Sequence, residues 1–234
     1  MNREETLLRN YQDVDHSLSQ AAAKAGRQPD EITLVAVTKY AQDNDVLFLL
    51  EKGLLHHIAE SRVQQALVRW QNPLFAKYNT CKHLIGHLQK NKAAKAAALF
   101  DFIDSLDSAE IAQAIEKHIP DGKIVRGLVQ VKLTDRTTQT GLPLNQARLL
   151  ARELKELSRL KVCGYMGIAP QGADEQTLRM LFGQVKEAFE QDFPAGTERY
   201  LSLGMSEDFI TAVEMGSTMP RIGSKLFATD LEEV

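Results

Sequence analysis

The first residues carry an amphipathic pattern that predicts a helix. Apolar side chains recur at spacings of four, three and four residues, at Leu7, Tyr11, Val14 and Leu18. This spacing places them on one helical face. Gly26, followed by Pro29, is typical of a helix end. We therefore predict an extra N-terminal helix over residues 1–26.

From residue 31 onward, short β-branched apolar segments alternate with segments of helical periodicity. The predicted strands are residues 32–39, 56–61, 83–86, 100–103, 124–133, 162–168, 200–204 and 219–222. Predicted helices follow every strand but the last, at 43–52, 63–70, 88–99, 108–118 and 207–215 and as amphipathic stretches around residues 147–157 and 178–189. Such alternation is typical of an α/β fold with a parallel sheet, and eight strands favour a single (β/α)8 TIM-type barrel. We place the barrel at residues 31–228 of a single domain over residues 1–234.

Composition and charge narrow the range of functions. The 234 residues include 28 Lys and Arg against 31 Asp and Glu, a net charge of −3. This balance disfavours nucleic acid and anionic membranes as partners. No signal-peptide pattern or membrane-spanning apolar run is found, and Cys81 and Cys163 form no disulfide framework or Cys-x-x-Cys motif. We expect a cytoplasmic protein and, without an extra domain or arm, a monomer.

Lys39 is the first residue with candidate chemistry. Side chains alternate along a strand, so Val35, Val37 and Lys39 share one face. If the valines fill the barrel, Lys39 points into its mouth, where barrel proteins place their sites. An amine there is a nucleophile toward an aldehyde. An ordinary lysine on the barrel rim is the alternative.

The last two strands each end in a Gly and Ser pair. Gly204 and Ser206 follow the seventh predicted strand, and Gly223 and Ser224 follow the eighth. Glycine allows close approach of backbone N–H groups to a phosphate, and loops after strands seven and eight frequently bind phosphate in this fold. Two such pairs indicate a phosphate site.

Arg221 shares strand parity with Met219 and Gly223, so it is expected to face the barrel interior. A buried guanidinium keeps its charge and needs an acceptor. A pyridine nitrogen is one candidate, because pyridoxal phosphate sites combine a Schiff-base lysine with an Asp or Arg partner at that nitrogen. An arginine partner would leave the nitrogen largely unprotonated and weaken the ring as an electron sink. A salt bridge inside the barrel is the alternative.

His83 and His87 have the spacing of a helical metal pair. Gly86 lies between them, in a segment that resembles a strand running into a turn. We therefore expect no metal site here.

Four motifs together resemble one known family. They are LVAVTK at 34–39, HLIGHLQKNK at 83–92, LSLGMS at 201–206 and GSTMPRIGS at 216–224. The chain resembles the pyridoxal phosphate homeostasis proteins, whose barrel is similar to that of alanine racemase, from about Ile32 to Phe227.

The resemblance implies a barrel that binds pyridoxal 5′-phosphate (PLP), takes part in vitamin B6 homeostasis and has no established catalysis. It assigns the Schiff base to Lys39, the phosphate to Ser206, Gly223 and Ser224, and the pyridine nitrogen to Arg221. Ser61 and His83 are further candidate cofactor contacts. PLP-dependent apoenzymes are the candidate recipients.

The chain departs from the family pattern at two places. Many relatives have Gly-Glu-Asn after the second strand, whereas here the residues are Ala59, Glu60 and Ser61. After the fifth strand, Lys132 replaces an Asn, and two loop positions are occupied by Arg136 and Gln139. These changes put the Asn contact and any contact from a loop lysine in doubt.

Two enzyme classes remain as alternatives. A PLP-dependent racemase or decarboxylase is one, but racemases of this fold carry a second domain that supplies a tyrosine, and we expect none here. A Schiff-base aldolase acting on a sugar phosphate is the other, but its lysine normally sits on a middle or late strand. Two-sided proton transfer needs an acid or base on each face of the substrate, and Lys39 alone is a candidate.

Overall fold

The computed structural model describes residues 2–134 and 140–229. Within these residues, eight parallel strands form one sheet in the order β7-β6-β5-β4-β3-β2-β1-β8. The strands are β1 Val35–Val37, β2 His57–Glu60, β3 Cys81–Leu84, β4 Phe102–Leu106, β5 Val125–Lys132, β6 Leu160–Ile168, β7 Tyr200–Ser202 and β8 Arg221–Ile222. The first strand therefore pairs with the last, as the predicted (β/α)8 barrel requires.

Helices surround the sheet. They are α1 Arg3–Lys24, α2 Asp43–Glu51, α3 Val63–Trp70, α4 Pro73–Ala76, α5 Ala93–Leu99, α6 Ala109–His118, α7 Leu144–Glu153, α8 Glu175–Asp192, α9 Phe209–Glu214 and α10 Ser224–Phe227. A capping box begins α1, because Asn2 Oδ1 accepts from the N–H of Glu5 at 2.8 Å while Glu5 Oε2 accepts from the N–H of Asn2 at 2.9 Å. No helix in the described part of the chain is long and apolar enough to span a lipid bilayer.

Backbone hydrogen bonds close the barrel between β7 and the segment that leads into β8. The N–H groups of Thr218 and Met219 both donate to the carbonyl of Leu201, at 2.9 and 3.1 Å. The N–H of Arg221 donates to the carbonyl of Gly204 at 3.0 Å. The two strand ends that carry the Gly and Ser pairs are therefore joined directly.

The strands separate two apolar layers. Inward-facing side chains form a small cluster of Val35, Ala59, Phe102, Leu128, Cys163, Met166 and Met219. Outward-facing strand side chains, such as Ile58 and Ile103, pack against helix side chains, such as Phe182 of α8, in a larger cluster. Because Val35 lies in the inner cluster and Val37 packs against it, the prediction that these valines face the interior is confirmed.

Several element bounds differ from the sequence prediction. The eighth strand begins at Arg221 rather than at residue 219, because Pro220 has no N–H to donate to a ladder. Residues 88–99 hold a 3-10 turn at Lys90–Lys92 before α5. Two short helices, α4 and α10, were not predicted, and α10 means that a helix follows the eighth strand as well.

Candidate functional site

Strand register brings the ends of β1 and β8 together. Val35 is paired with Arg221 and Ala36 with Ile222. Beyond this ladder, Gly223 lies so close to Val37 that a Cβ atom on Gly223 would be 2.9 Å from the Val37 carbonyl oxygen. Lys39 follows in the turn after β1 and is partly buried. The turn that carries Lys39 and the loop after β8 therefore adjoin each other at the mouth of the barrel.

The predicted phosphate residues also meet. Ser206 is buried, and its Oγ accepts a long hydrogen bond of 3.4 Å from the N–H of Lys225. Ser224, the residue before Lys225, is exposed at the start of α10, and Gly223 precedes it as the N-cap. Hydroxyl and backbone N–H groups from the loops after β7 and β8 thus share one small region.

Arg221 lies in the barrel interior, 3% exposed. Its Nη1 donates to the carbonyl and the Oγ of Ser202, at 2.8 and 2.7 Å, and its Nη2 donates to the carbonyl of Gly167 at 2.8 Å. Burial lowers the pKa of Arg221, and the carboxylates of Asp104 and Asp208 act in the opposite direction. Among the residues that the structure describes, its hydrogen-bond partners are uncharged oxygens, so the guanidinium is oriented without a direct salt bridge.

A chain of three side chains runs across the inner faces of β2, β3 and β4. His83 Nδ1 lies 3.1 Å from Asp104 Oδ2, and His83 Nε2 lies 2.9 Å from His57 Nδ1. Phe102 stacks on the His83 ring, with centroids 4.3 Å apart. Both His83 and Asp104 are fully buried. Because both ring nitrogens of His83 are engaged within the protein, the geometry favours an indirect role for His83.

The same chain holds His57 in its neutral form. Burial of the ring lowers the pKa of His57 to about 4, and the neighbouring His83, His56 and Arg126 act in the same direction. A neutral His57 can donate from Nδ1 to His83 Nε2, which leaves His83 Nδ1–H to donate to Asp104. Asp104 in turn acts electrostatically on Arg221.

The structure describes Ser61 and Lys132, two of the positions at which the chain departs from the family pattern. Ser61 follows β2 and is partly buried, and it packs so tightly against Gly86 that a Cβ there would be 2.1 Å from the Ser61 carbonyl oxygen. Lys132 ends β5 and is partly buried. Arg136 and Gln139 lie outside the described residues.

The sequence did not single out His57 or Asp104, the two partners of His83. The signal for the first was present, since His57 has the inward parity of Ala59. Asp104 has the parity of Phe102 in the same way. The described residues contain no group of three or more His, Cys, Asp or Glu side chains that could hold a metal ion. His83 has His57 and Asp104 as partners instead of His87.

Comparisons with known proteins find relatives along almost the whole chain. Residues 10–230 match the family model described as alanine racemase, N-terminal domain. The chain is 34% identical over 209 residues to the pyridoxal phosphate homeostasis protein of Synechocystis sp., covering 87% of this chain and 94% of that protein. It is 31% identical to the pyridoxal phosphate homeostasis protein of Escherichia coli K12, covering 94% of this chain and 95% of that protein. The structure of PipY from Synechococcus elongatus with PLP bound superimposes with a TM-score of 0.77 at 30% identity, covering 90% of this chain and 100% of that one.

Proposed function

Because the chain belongs to the pyridoxal phosphate homeostasis protein family, we propose that it binds PLP at the mouth of the barrel and takes part in the homeostasis of this cofactor. The PLP-bound structure of PipY supports the choice of cofactor. The observation that carries the proposal is the pairing of β1 with β8, in which Val35 pairs with Arg221 and Val37 packs against Gly223, two residues before Lys39.

The groups present fit the three polar parts of PLP. An amine at Lys39 suits the aldehyde, the hydroxyls of Ser206 and Ser224 suit the phosphate, and the guanidinium of Arg221 suits the pyridine nitrogen. Gly223 supports the fit in a further way, because the space that its Cβ would fill is already taken by Val37. PLP supplies an electrophilic aldehyde carbon, and Lys39 would hold it as a Schiff base.

The buried hydrogen-bonded side chains of His57, His83 and Asp104 would affect the site through the charge of Asp104 on Arg221. Asp104 contributes negative charge near Arg221, while His83 fixes the Asp104 carboxylate. Arg221, which its hydrogen bonds to Ser202 and Gly167 hold in place, would present a positive charge that disfavours a proton on the pyridine nitrogen. A ring without that proton withdraws electrons weakly. This arrangement suits storage of the cofactor better than chemistry on an amino acid.

We therefore propose binding without dedicated catalysis, with PLP-dependent apoenzymes as recipients. A cytoplasmic location and a monomeric state are parts of the same proposal, and light scattering on the purified protein tests the second. The assay for catalysis incubates the loaded protein with single L-amino acids in deuterated water. Steady α-proton exchange with D-isomer formation, thousands of times faster than with free PLP and abolished by Lys39→Ala, would make the protein an enzyme.

The binding proposal is tested by borohydride reduction followed by peptide mass mapping. The purified protein should be yellow, and reduction should fix a pyridoxyl group on Lys39. The matched control is Lys90→Ala, which removes an exposed lysine on the 3-10 turn before α5 and should keep the yellow band. A Lys39→Ala protein with a band of full strength would refute the assignment.

A further inference from the structure

The turn that carries Lys39 is held by a side chain from outside the barrel. We define the Lys39 turn as residues 38–41, which connect β1 to the approach of α2. We propose that Arg69 of α3 and Glu60 of β2 are positioning residues that fix this turn and so determine the affinity for the cofactor. The inference rests on the proposed role of Lys39.

Arg69 contacts both ends of the Lys39 turn. Its Nη1 donates to the carbonyl of Thr38 at 2.5 Å, and its Nη2 donates to the carbonyl of Ala41 at 2.7 Å. Its Nε donates to Asp43 Oδ1 at 2.8 Å, which extends the contact to the first residue of α2. One planar guanidinium therefore contacts two backbone carbonyls and one side-chain carboxylate within six consecutive residues, a geometry that a lysine could not reproduce.

Glu60 of β2 contacts both Arg69 and the first residue of the Lys39 turn. Its Oε1 accepts from Arg69 Nη1 at 2.5 Å and from Thr38 Oγ1 at 2.7 Å. Glu60 is 1% exposed, so this ion pair is shielded from solvent on the carboxylate side. The turn also closes on itself, because the N–H of Ala41 donates to the carbonyl of Thr38 at 2.9 Å. Lys39 and Tyr40 lie between these fixed ends.

Packing does not hold the central residues of the turn. Tyr40 is 86% exposed, and the Lys39 Nζ atom lies 5.1 Å from the centre of its ring. A cavity of about 320 Å³ adjoins the turn and is lined by Lys39, Asp43, Glu60, Gln64, Gln65, Val68 and Arg69. Open space therefore adjoins the central residues of the turn, and the hydrogen bonds of Arg69 to the carbonyls of Thr38 and Ala41 help to hold its two ends.

A looser turn would lower the affinity for the cofactor, because fewer molecules would hold the turn in the binding conformation. If only a fraction of molecules hold the turn in the binding conformation, the apparent Kd rises by the inverse of that fraction. A loss of the Arg69 contacts that reduces the competent fraction to about a tenth would raise the Kd roughly tenfold. No direct contact between Arg69 and the cofactor is needed for this effect.

The experiment compares three arginine variants. Arg69→Met removes the contacts, and Arg69→Lys retains the charge without the planar set of donors. Arg148→Met is the control matched for stability, because Arg148 is also a partly exposed arginine paired with a buried carboxylate, that of Asp192, on the α7 and α8 side of the barrel. PLP affinity is measured by absorbance titration, and amide hydrogen exchange of Ala41 is measured in the cofactor-free proteins.

Arg69→Met should raise the Kd roughly tenfold or more and speed the exchange of the Ala41 amide. Arg69→Lys should fall between it and the parent. Arg148→Met should lower the melting temperature yet retain the parent's Kd and exchange rate. Three results would overturn the inference: a Kd for Arg69→Met within twofold of the parent, unchanged exchange at Ala41, or an equal loss of affinity in Arg148→Met.

The failure of the proposed function would be distinct from the failure of this inference. A parent protein that yields no pyridoxyl group on Lys39 after borohydride would overturn the proposed function. The exchange rates of the cofactor-free proteins would still decide whether Arg69 holds the turn.

Discussion

Protonation of His57 should destabilise the protein in mild acid. The folded protein holds this pKa at about 4, against an ordinary value of 6.5, because the ring is buried beside His83, His56 and Arg126. Between these two pH values the unfolded chain binds a proton that the folded protein does not. The free energy of unfolding therefore falls as pH falls through this window and levels off below pH 4.

The size of the effect follows from the shift. Each pKa unit corresponds to about 1.4 kcal/mol, so the difference between 6.5 and about 4 gives an upper bound of about 3–4 kcal/mol. Solvent reaches part of the ring, which reduces the contribution to about 1–2 kcal/mol. For a chain of this length, that corresponds to a change of about 2–8 °C in melting temperature.

The assay compares the parent with His57→Asn by calorimetry at about pH 7 and pH 4.5. Most of the protonation of this histidine in the unfolded chain occurs between these two values. The Asn amide can occupy the position of Nδ1 and retain a hydrogen bond to His83, but it does not titrate. The control His118→Asn removes an exposed histidine at the end of α6.

The parent and His118→Asn should lose more stability than His57→Asn between the two pH values. Burial raises the pKa of Glu60, which acts in the opposite direction, but this contribution is common to all three proteins and cancels. Parallel losses in the parent and His57→Asn would refute the reasoning.

Three further expectations concern single contacts. Ser206→Ala combined with Ser224→Ala should weaken PLP binding by about 2–3 kcal/mol, since each hydroxyl would lose a hydrogen bond to a charged phosphate; equal affinities in phosphate-free buffer would place the phosphate elsewhere. Gly86→Ala should destabilise the fold by about 2–4 kcal/mol in urea unfolding, because its Cβ would lie 2.1 Å from the Ser61 carbonyl oxygen; a loss below about 1 kcal/mol would contradict the tight packing. Tyr165→Phe should cost about 1–2 kcal/mol in the same assay, because its hydroxyl donates to buried Asp192 at 2.8 Å; unchanged stability would show that this bond contributes nothing.

Local signals were enough to predict the barrel. The helix over 63–70 agrees with α3 at both ends, and Ser108, the first residue of the helix predicted over 108–118, is the N-cap of α6 and accepts from the N–H of Ile111 at 3.3 Å. The inward parity of Arg221 and Val35 was equally readable, because alternation along a strand is a local property. Parity and the order of elements along the chain therefore predicted the fold and the inward position of Arg221.

Contacts between distant elements could not be predicted in the same way. Arg69 lies on a helix that sequence alone describes as amphipathic, and nothing near it shows that its guanidinium reaches Thr38 and Ala41. His83 was interpreted with His87, a neighbour in sequence, whereas its partners His57 and Asp104 come from adjacent strands. The register between neighbouring strands determines these partners, and it cannot be read from the sequence of one strand alone.

The neighbouring positions of β1 and β8 have a consequence for synthesis of the protein. Lys39 leaves the ribosome when most of the barrel has not yet been translated, and Arg221 and Ser224 are added near the end. A nascent chain that has not reached β8 has no strand to pair with β1 on that side and lacks both the guanidinium and the last phosphate donors of the proposed site. The guanidinium and phosphate contacts of the proposed site can therefore form only after β8 has been translated and has paired with β1.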